Sequence, residues 1–406
     1  MLDRSRVASL ALSLTVVGYP LAAVLAEVTV GAESGRVVTV PYRALVLLVS
    51  LLLFVMTPYA FERFRHPVFW TLWWTFWCLY LFRLLMDTLI SPVELPQAVS
   101  EYLLYGIGTT FLPAIGLAVG ARHLDQIRAP RFMLLLASIG IVAGLAHILN
   151  MRGVSDIDVL AASRLESAML NPISLGHLGA TAIILSGWWL LWGGRSTLST
   201  KVYLLAAISF GLAALVTGGS RGPVLALIVA CGLIALAQRL VLMPTLALAG
   251  IAALIALFGL ASETPLLIVE RLTTSAFEDS SRESLLALAW RAFLLDPLIG
   301  AGIDPIESYP HNLVVEAFLV NGVVSGVLFS GLLISSLWIA FRTAAASRER
   351  AWLPALYAQY ATSILFSGNI YGSNIFWCLM AAVVAWSFVP SPCPASPIRR
   401  LEGAAA

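Results

Sequence analysis

The chain has 406 residues, 60% of them hydrophobic and only 11% charged, with net charge +2 and mean hydropathy +0.91. Repeated apolar runs at this density exclude a soluble globular domain and belong to a protein that crosses a bilayer many times. The four cysteines, Cys78, Cys231, Cys378 and Cys393, have neither C-x-x-C nor zinc spacing, so no disulfide framework and no metal site are expected.

In chain order, the apolar runs predict twelve spans at 7–26, 40–57, 67–90, 98–120, 131–149, 173–192, 202–217, 222–238, 242–262, 313–341, 351–368 and 374–389. The basic start, Met1 to Arg6, looks like a signal peptide, but it lacks a clear cleavage site and further spans follow, so it is read as a retained first helix. An even count puts both termini on one side. With that side inside, 15 basic residues lie on inner segments and 8 on outer ones, with Arg83 within a span. This bias predicts cytoplasmic termini. The expected fold is therefore an all-α polytopic membrane protein. Residues 1–390 form a single transmembrane domain, 263–312 form a large outer loop between spans nine and ten, and 391–406 form a cytoplasmic tail.

Trp70, Trp73, Trp74 and Trp77 recur at helical spacing in the third span. They read as an interface belt or packing stripe, with a stacking platform for sugar or lipid as the alternative. Deeper in that span Arg83 and Asp87 form an i,i+4 pair, which is either functional or structural. In the long outer loop, Ser280 and Glu283 fit a capping box. The apolar-rich helix behind it is ended by Asp296-Pro297 and is expected to lie on the membrane surface or on the bundle. Arg282 and Arg291 on this helix are nine residues apart, half a turn out of phase.

Three outward-facing helix starts share one design. They are Asn171-Pro172, preceded by Arg164; Arg221-Gly-Pro223; and His311-Asn312. Unpaired N–H groups and the positive dipole end make a helix start favour anions. Arginine grips phosphate oxygens bidentately and stays charged, and histidine exchanges protons near neutral pH. If the three starts converge, they build a pocket for a diphosphate. Glu316, one turn beyond Asn312, is placed to orient His311. His147 and His177 read as core residues. No Walker, D-x-D or H-E-x-x-H motif occurs, and neither a cofactor nor a nucleic-acid partner is indicated.

The Gly219-Ser-Arg-Gly222 turn, Ser281-Arg282 with Trp290, Asp296-Pro-Leu-Ile-Gly-Ala-Gly302, His311-Asn312, and Gly322 with Gly326 together resemble the O-antigen ligase and polymerase superfamily of bacterial surface-polysaccharide synthesis. Asn321 departs from the pattern, since relatives often carry an acid before that glycine. The resemblance implies a GT-C-like glycosyltransferase of the bacterial inner membrane, with its active site at the periplasmic face. It would move a glycan from undecaprenyl diphosphate to a sugar hydroxyl, as a polymerase, or onto lipid A–core, as a ligase. A chain-length regulator is a candidate partner. The family's phosphate-holding arginines map to Arg221 and Arg282, with Arg164 and Asn312 beside them, and its loop histidine maps to His311. The expected chemistry is inverting and metal-independent, with His311 either accepting the acceptor's proton or touching the phosphate. A lipid-linked glycan transporter or flippase is the reading from another class.

Overall fold

The computed structural model describes residues 3–31, 35–57, 66–90, 95–152, 171–194, 196–240, 280–306 and 309–388; the side chains of 151–152 and 280–283 are outside this set. Among the described residues the chain is helical and has no strand. Nine helices among the described residues are long and apolar enough to cross a membrane, as in a polytopic membrane protein. Eight come first: α1 (Arg4–Val30), α2 (Arg36–Met56), α3 (Pro67–Ile90), α4 (Val99–His123), α5 (Arg128–Asn150), α6 (Pro172–Trp192), α7 (Leu198–Thr217) and α8 (Arg221–Gln238). The surface helix α9 (Ser280–Leu295) follows, and then the long α10 (Leu313–Ala346). The expected span at 242–262 lies outside the described residues.

The last two expected spans differ from their prediction. In place of 351–368 and 374–389, the structure has two short helices, α11 (Trp352–Ser363) and α12 (Asn374–Trp386). At 1.5 Å per residue they rise about 18 and 20 Å, well short of the ~30 Å hydrocarbon thickness. They are also the most enclosed elements, with 11 of the 12 residues of α11 and 11 of the 13 of α12 buried. Their connection, 364–373, is buried at Ile364, Ile370 and Tyr371 and exposed at Leu365, Phe366 and Gly372. Its buried backbone needs protein partners for its polar groups, and α10 supplies them. Leu313 N donates to Ile364 O at 3.0 Å, and the Glu316 carboxylate accepts from Ile370 N at 3.0 Å.

The tryptophans of α3 form a packing stripe. Trp70, Trp73 and Trp77 are buried while Trp74 is exposed. Trp73 and Trp77 each lie 5.1 Å, centroid to centroid, from Trp377 of α12, and Phe76 lies 5.5 Å from Phe329 of α10. This aromatic knot ties α3, α10 and α12 together. Below it, Trp352 packs on Trp386, and the Arg350 guanidinium sits 5.3 Å over the Trp386 ring.

One apolar run hides a break. α10 is interrupted at Asn321 (φ −131, ψ 27) and Gly322 (φ 69, ψ −160). The chain between α9 and α10 is stitched to this break. Ala301 N donates to Leu319 O at 2.7 Å, and Val323 N donates to Pro297 O at 2.8 Å. Helix α9 begins at Ser280 and ends at Leu295, just before Asp296-Pro297 as expected. It packs on α10 through Ala289, Phe293 and Leu319, leaving Leu288, Leu294 and Leu295 exposed.

Candidate functional site

Helices α6, α8 and α10 begin at the same end of the bundle, where the 364–373 connection also lies. The first turns of α6 and α8 are in contact. A Cβ on Gly218 would lie 2.9 Å from Pro172 O, and one on Gly176 would lie 2.9 Å from the Pro223 ring. The start of α8 also meets the connection, since a Cβ on Gly222 would be 3.9 Å from Phe366 Cβ. The connection in turn meets α10, where Asn312 Nδ2 donates to Leu365 O at 3.3 Å. The three predicted starts are thus gathered around 364–373.

Their caps differ in a way that bears on anions. Asn171 caps α6 by accepting from Ile173 N at 2.8 Å. Asn312 caps α10 by accepting from Val314 N at 3.0 Å and Val315 N at 3.1 Å. Ser220 gives α8 no side-chain cap. A helix start of this kind favours an anion. Arg221 is the first residue of that helix and is half-buried. It is held there by the turn at Gly219, whose φ of 57 is a left-handed value.

His311 directly precedes the Asn312 cap. Its φ is 56, which is uncommon for a residue with a Cβ. The residue is half-buried, and its ring lies tilted against Tyr309 with centroids 4.3 Å apart. Glu316 is 3% exposed, and its carboxylate is turned to Ile370 N. Of the remaining sequence candidates, Arg164 lies outside the described residues. Arg282 belongs to the first turn of α9, where only the backbone is described.

The intramembrane pair Arg83–Asp87 has a structural task. Arg83 Nε lies 2.8 Å from Asp87 Oδ1, with the two side chains 13% and 5% exposed. Arg83 Nη1 donates to Ile299 O at 3.0 Å, and Asp87 Oδ2 accepts from Ile303 N at 2.9 Å. The pair therefore clamps the chain segment that leads from α9 to His311. A Cβ on Gly302 would come within 3.0 Å of Arg83 Nη2, so this glycine admits the clamp.

Three features escaped the sequence reading. Asp304 (φ 48) accepts from Tyr102 Oη at 2.8 Å and from Tyr371 Oη at 3.2 Å. Burial pushes its carboxyl above the usual carboxylate range, against the opposing pull of the two phenol donors. Arg43 lies 4.7 Å over the Tyr105 ring and donates to its hydroxyl at 2.7 Å. His177, 5% exposed, belongs to a polar cluster rather than a plain core: its Nε2 lies 2.9 Å from Ser363 Oγ, and Gln359 Nε2 donates to its carbonyl at 2.9 Å. A Gln and a Ser four residues apart on α11 were the available signal, but an apolar run with small polar residues looks the same whether or not they meet a partner.

Compared with protein-family models the chain matches none, and compared with curated proteins it matches none. The arrangement combines a helix start with an arginine at its first residue, a histidine just before a second start, and a connection that touches both. No cluster of three or more metal-ligating side chains occurs among the described residues.

Proposed function

We propose that the chain is a polytopic membrane glycosyltransferase of the GT-C-like kind, acting at the periplasmic face of a bacterial inner membrane with both termini in the cytoplasm. The donor is a glycan on undecaprenyl diphosphate. The acceptor is a hydroxyl of a second lipid-linked glycan, as in an O-antigen polymerase; lipid A–core, as for a ligase, is the alternative acceptor. The observation that carries this reading is the gathering of the α6, α8 and α10 starts around one connection, with Arg221 at the head of α8 and His311 before the α10 cap.

In the reaction, the acceptor oxygen forms a bond to the anomeric carbon while the bond from that carbon to the diphosphate oxygen breaks. The leaving diphosphate gains charge, and Arg221 with the α8 N–H groups stabilises it in the transition state. Arg282 and Arg164 are proposed to complete that grip. His311 takes the proton of the acceptor hydroxyl, or contacts the phosphate in its place. Inversion follows from this single displacement.

The test is transfer by purified protein in detergent, supplied with undecaprenyl-diphosphate-linked glycan and followed by the lengthening of the glycan. Absence of transfer with authentic lipid-linked donor rejects the reading. A deletion strain separates the two forms. One repeat unit on lipid A–core marks a lost polymerase, and long chains left on the lipid diphosphate mark a lost ligase.

A lipid-linked glycan transporter is the second reading, and one observation favours it. Two short helices, α11 and α12, are joined by a non-helical connection, and broken helices of this kind are common in transporters. Transport needs a sealed membrane, so activity in detergent separates the classes.

A further inference from the structure

Beside the α6 start, a cavity of about 170 Å³ opens between α1, the first two turns of α6 and the two ends of the 364–373 connection. At ~30 Å³ per water this is room for five or six waters, the scale of one sugar ring rather than a chain. Its polar lining is Ser174, His177, Ser363, Ser367, Ser373 and Asn374, all of them hydroxyl, amide or imidazole groups. Its aromatic lining is Tyr19, Tyr360 and Phe376. No arginine, lysine or carboxylate is among these lining residues.

Val16, Pro20, Ile173, Ile364 and Ile375 complete an amphipathic lining, which fits a ligand with both polar and apolar faces. An anion would lack a counter-charge, and an apolar tail would strand the hydroxyls. A neutral ring carrying several hydroxyls satisfies both, because hydroxyl and amide groups donate and accept and aromatic faces cover the C–H side of a ring. The lining is also pre-set. His177 is fixed by Ser363 at 2.9 Å, stacks on Tyr360 at 5.4 Å, and has Gln359 on its carbonyl. Gln359 is fully buried and is itself held against Thr181.

The cavity shares a wall with the anion-favouring site. Leu365 and Phe366 face the α10 and α8 starts, while Ser367 and Gly368 of the same strand of chain line the cavity. We infer that this cavity is a monosaccharide-binding subsite. Its assignment to the acceptor side of glycosyl transfer rests on the function proposed above; saccharide binding itself does not.

The full-length protein in detergent tests this by saturation-transfer NMR with the methyl glycosides of glucose, galactose, mannose, rhamnose and N-acetylglucosamine. Saturation of at least one glycoside is expected in the wild type. It should fall by at least about five-fold in Ser174→Leu and in Ser367→Leu, which fill the cavity from opposite walls. Ser363→Ala and Ser373→Ala remove hydroxyls without adding volume and should each weaken binding by a few-fold, which keeps the test decisive if a leucine variant misfolds. No saturated glycoside, or undiminished saturation in the folded variants, overturns the subsite. Saccharide binding without transfer keeps the subsite and rejects the transferase. Transfer by a protein whose filled variants keep wild-type KM for the acceptor does the reverse.

Discussion

Gly300 and Gly322 lie back to back, and neither position leaves room for a side chain. A Cβ on Gly300 would sit 2.5 Å from Gly322 N, and one on Gly322 would sit 2.4 Å from Leu298 O. Both residues have positive φ, at 80 and 69. The contact seats the chain after α9 in the break of α10, and so sets where His311 falls.

Gly322→Ala should therefore detach this segment. The left-handed backbone costs about 1–2 kcal/mol for an L-residue, and the clash with Leu298 O raises the total to roughly 2–4 kcal/mol. Faster proteolysis between α9 and α10, with a lower unfolding midpoint in detergent, is the expected result. Wild-type values for both would show the contact to be dispensable.

Removing either partner of the Arg83–Asp87 clamp should cost about 3–5 kcal/mol, the usual loss when one buried charge is left alone. The double variant Arg83→Met/Asp87→Leu should not recover the loss. Ile299 O and Ile303 N would still be deprived of their partners. Thermal unfolding of both single variants and the double checks this; recovery in the double would reduce the clamp to a self-contained ion pair.

The raised Asp304 carboxyl makes a signed pH prediction. The folded state favours the protonated form, so its contribution to stability is fully present below the ordinary carboxylate pKa of about 3.9 and is lost as pH rises through the higher folded value. Asp304→Asn stays neutral throughout and also tolerates the left-handed backbone at φ 48. The variant should gain stability over wild type as pH rises through the raised value, and the difference should then level off. A pH-independent difference would mean that the charge is not felt.

His311→Gly should separate strain from chemistry. Glycine relieves a left-handed cost of about 1–2 kcal/mol, while the ring contact with Tyr309 is lost, so the unfolding midpoint should stay near wild type. Glycan transfer should disappear. Partial return of transfer with added imidazole would identify His311 as the proton acceptor, whereas return with no pH dependence would point to a phosphate contact.

Arg221→Lys keeps a charge at the head of α8 but gives up the planar fork. Transfer should fall at least about ten-fold, with KM for the lipid donor raised, because a point charge holds only one phosphate oxygen at a time. Unchanged kinetics would reduce Arg221 to a contact with lipid headgroups.

The helix starts were legible in the sequence because their signals are local. Asn171-Pro172, Asn312 and Arg221-Gly-Pro223 open helices where cap chemistry says they should. The shortness of α11 and α12 was not legible, since hydropathy cannot distinguish a residue facing lipid from one facing another helix. The break at Gly322 was hidden for a related reason: a glycine in an apolar run can continue a helix, and only the hydrogen bonds to Pro297 and Ala301 show that it does not. Arg83 and Asp87 were visible as a pair, but their partners lie more than 200 residues away in the chain. The saccharide-sized cavity was invisible because small polar residues on three elements become a lining only once those elements meet.

The enclosure of α11 and α12 has a consequence for biogenesis. Among the described residues the most deeply packed helices are made after the helices that surround them, and each is too short to be stable alone in a bilayer. Earlier helices must then wait with an open centre until this hairpin arrives. Synthesis that stops before Trp377 leaves the aromatic knot on α3 without its α12 partner, and such a chain presents a gap that membrane quality control can detect.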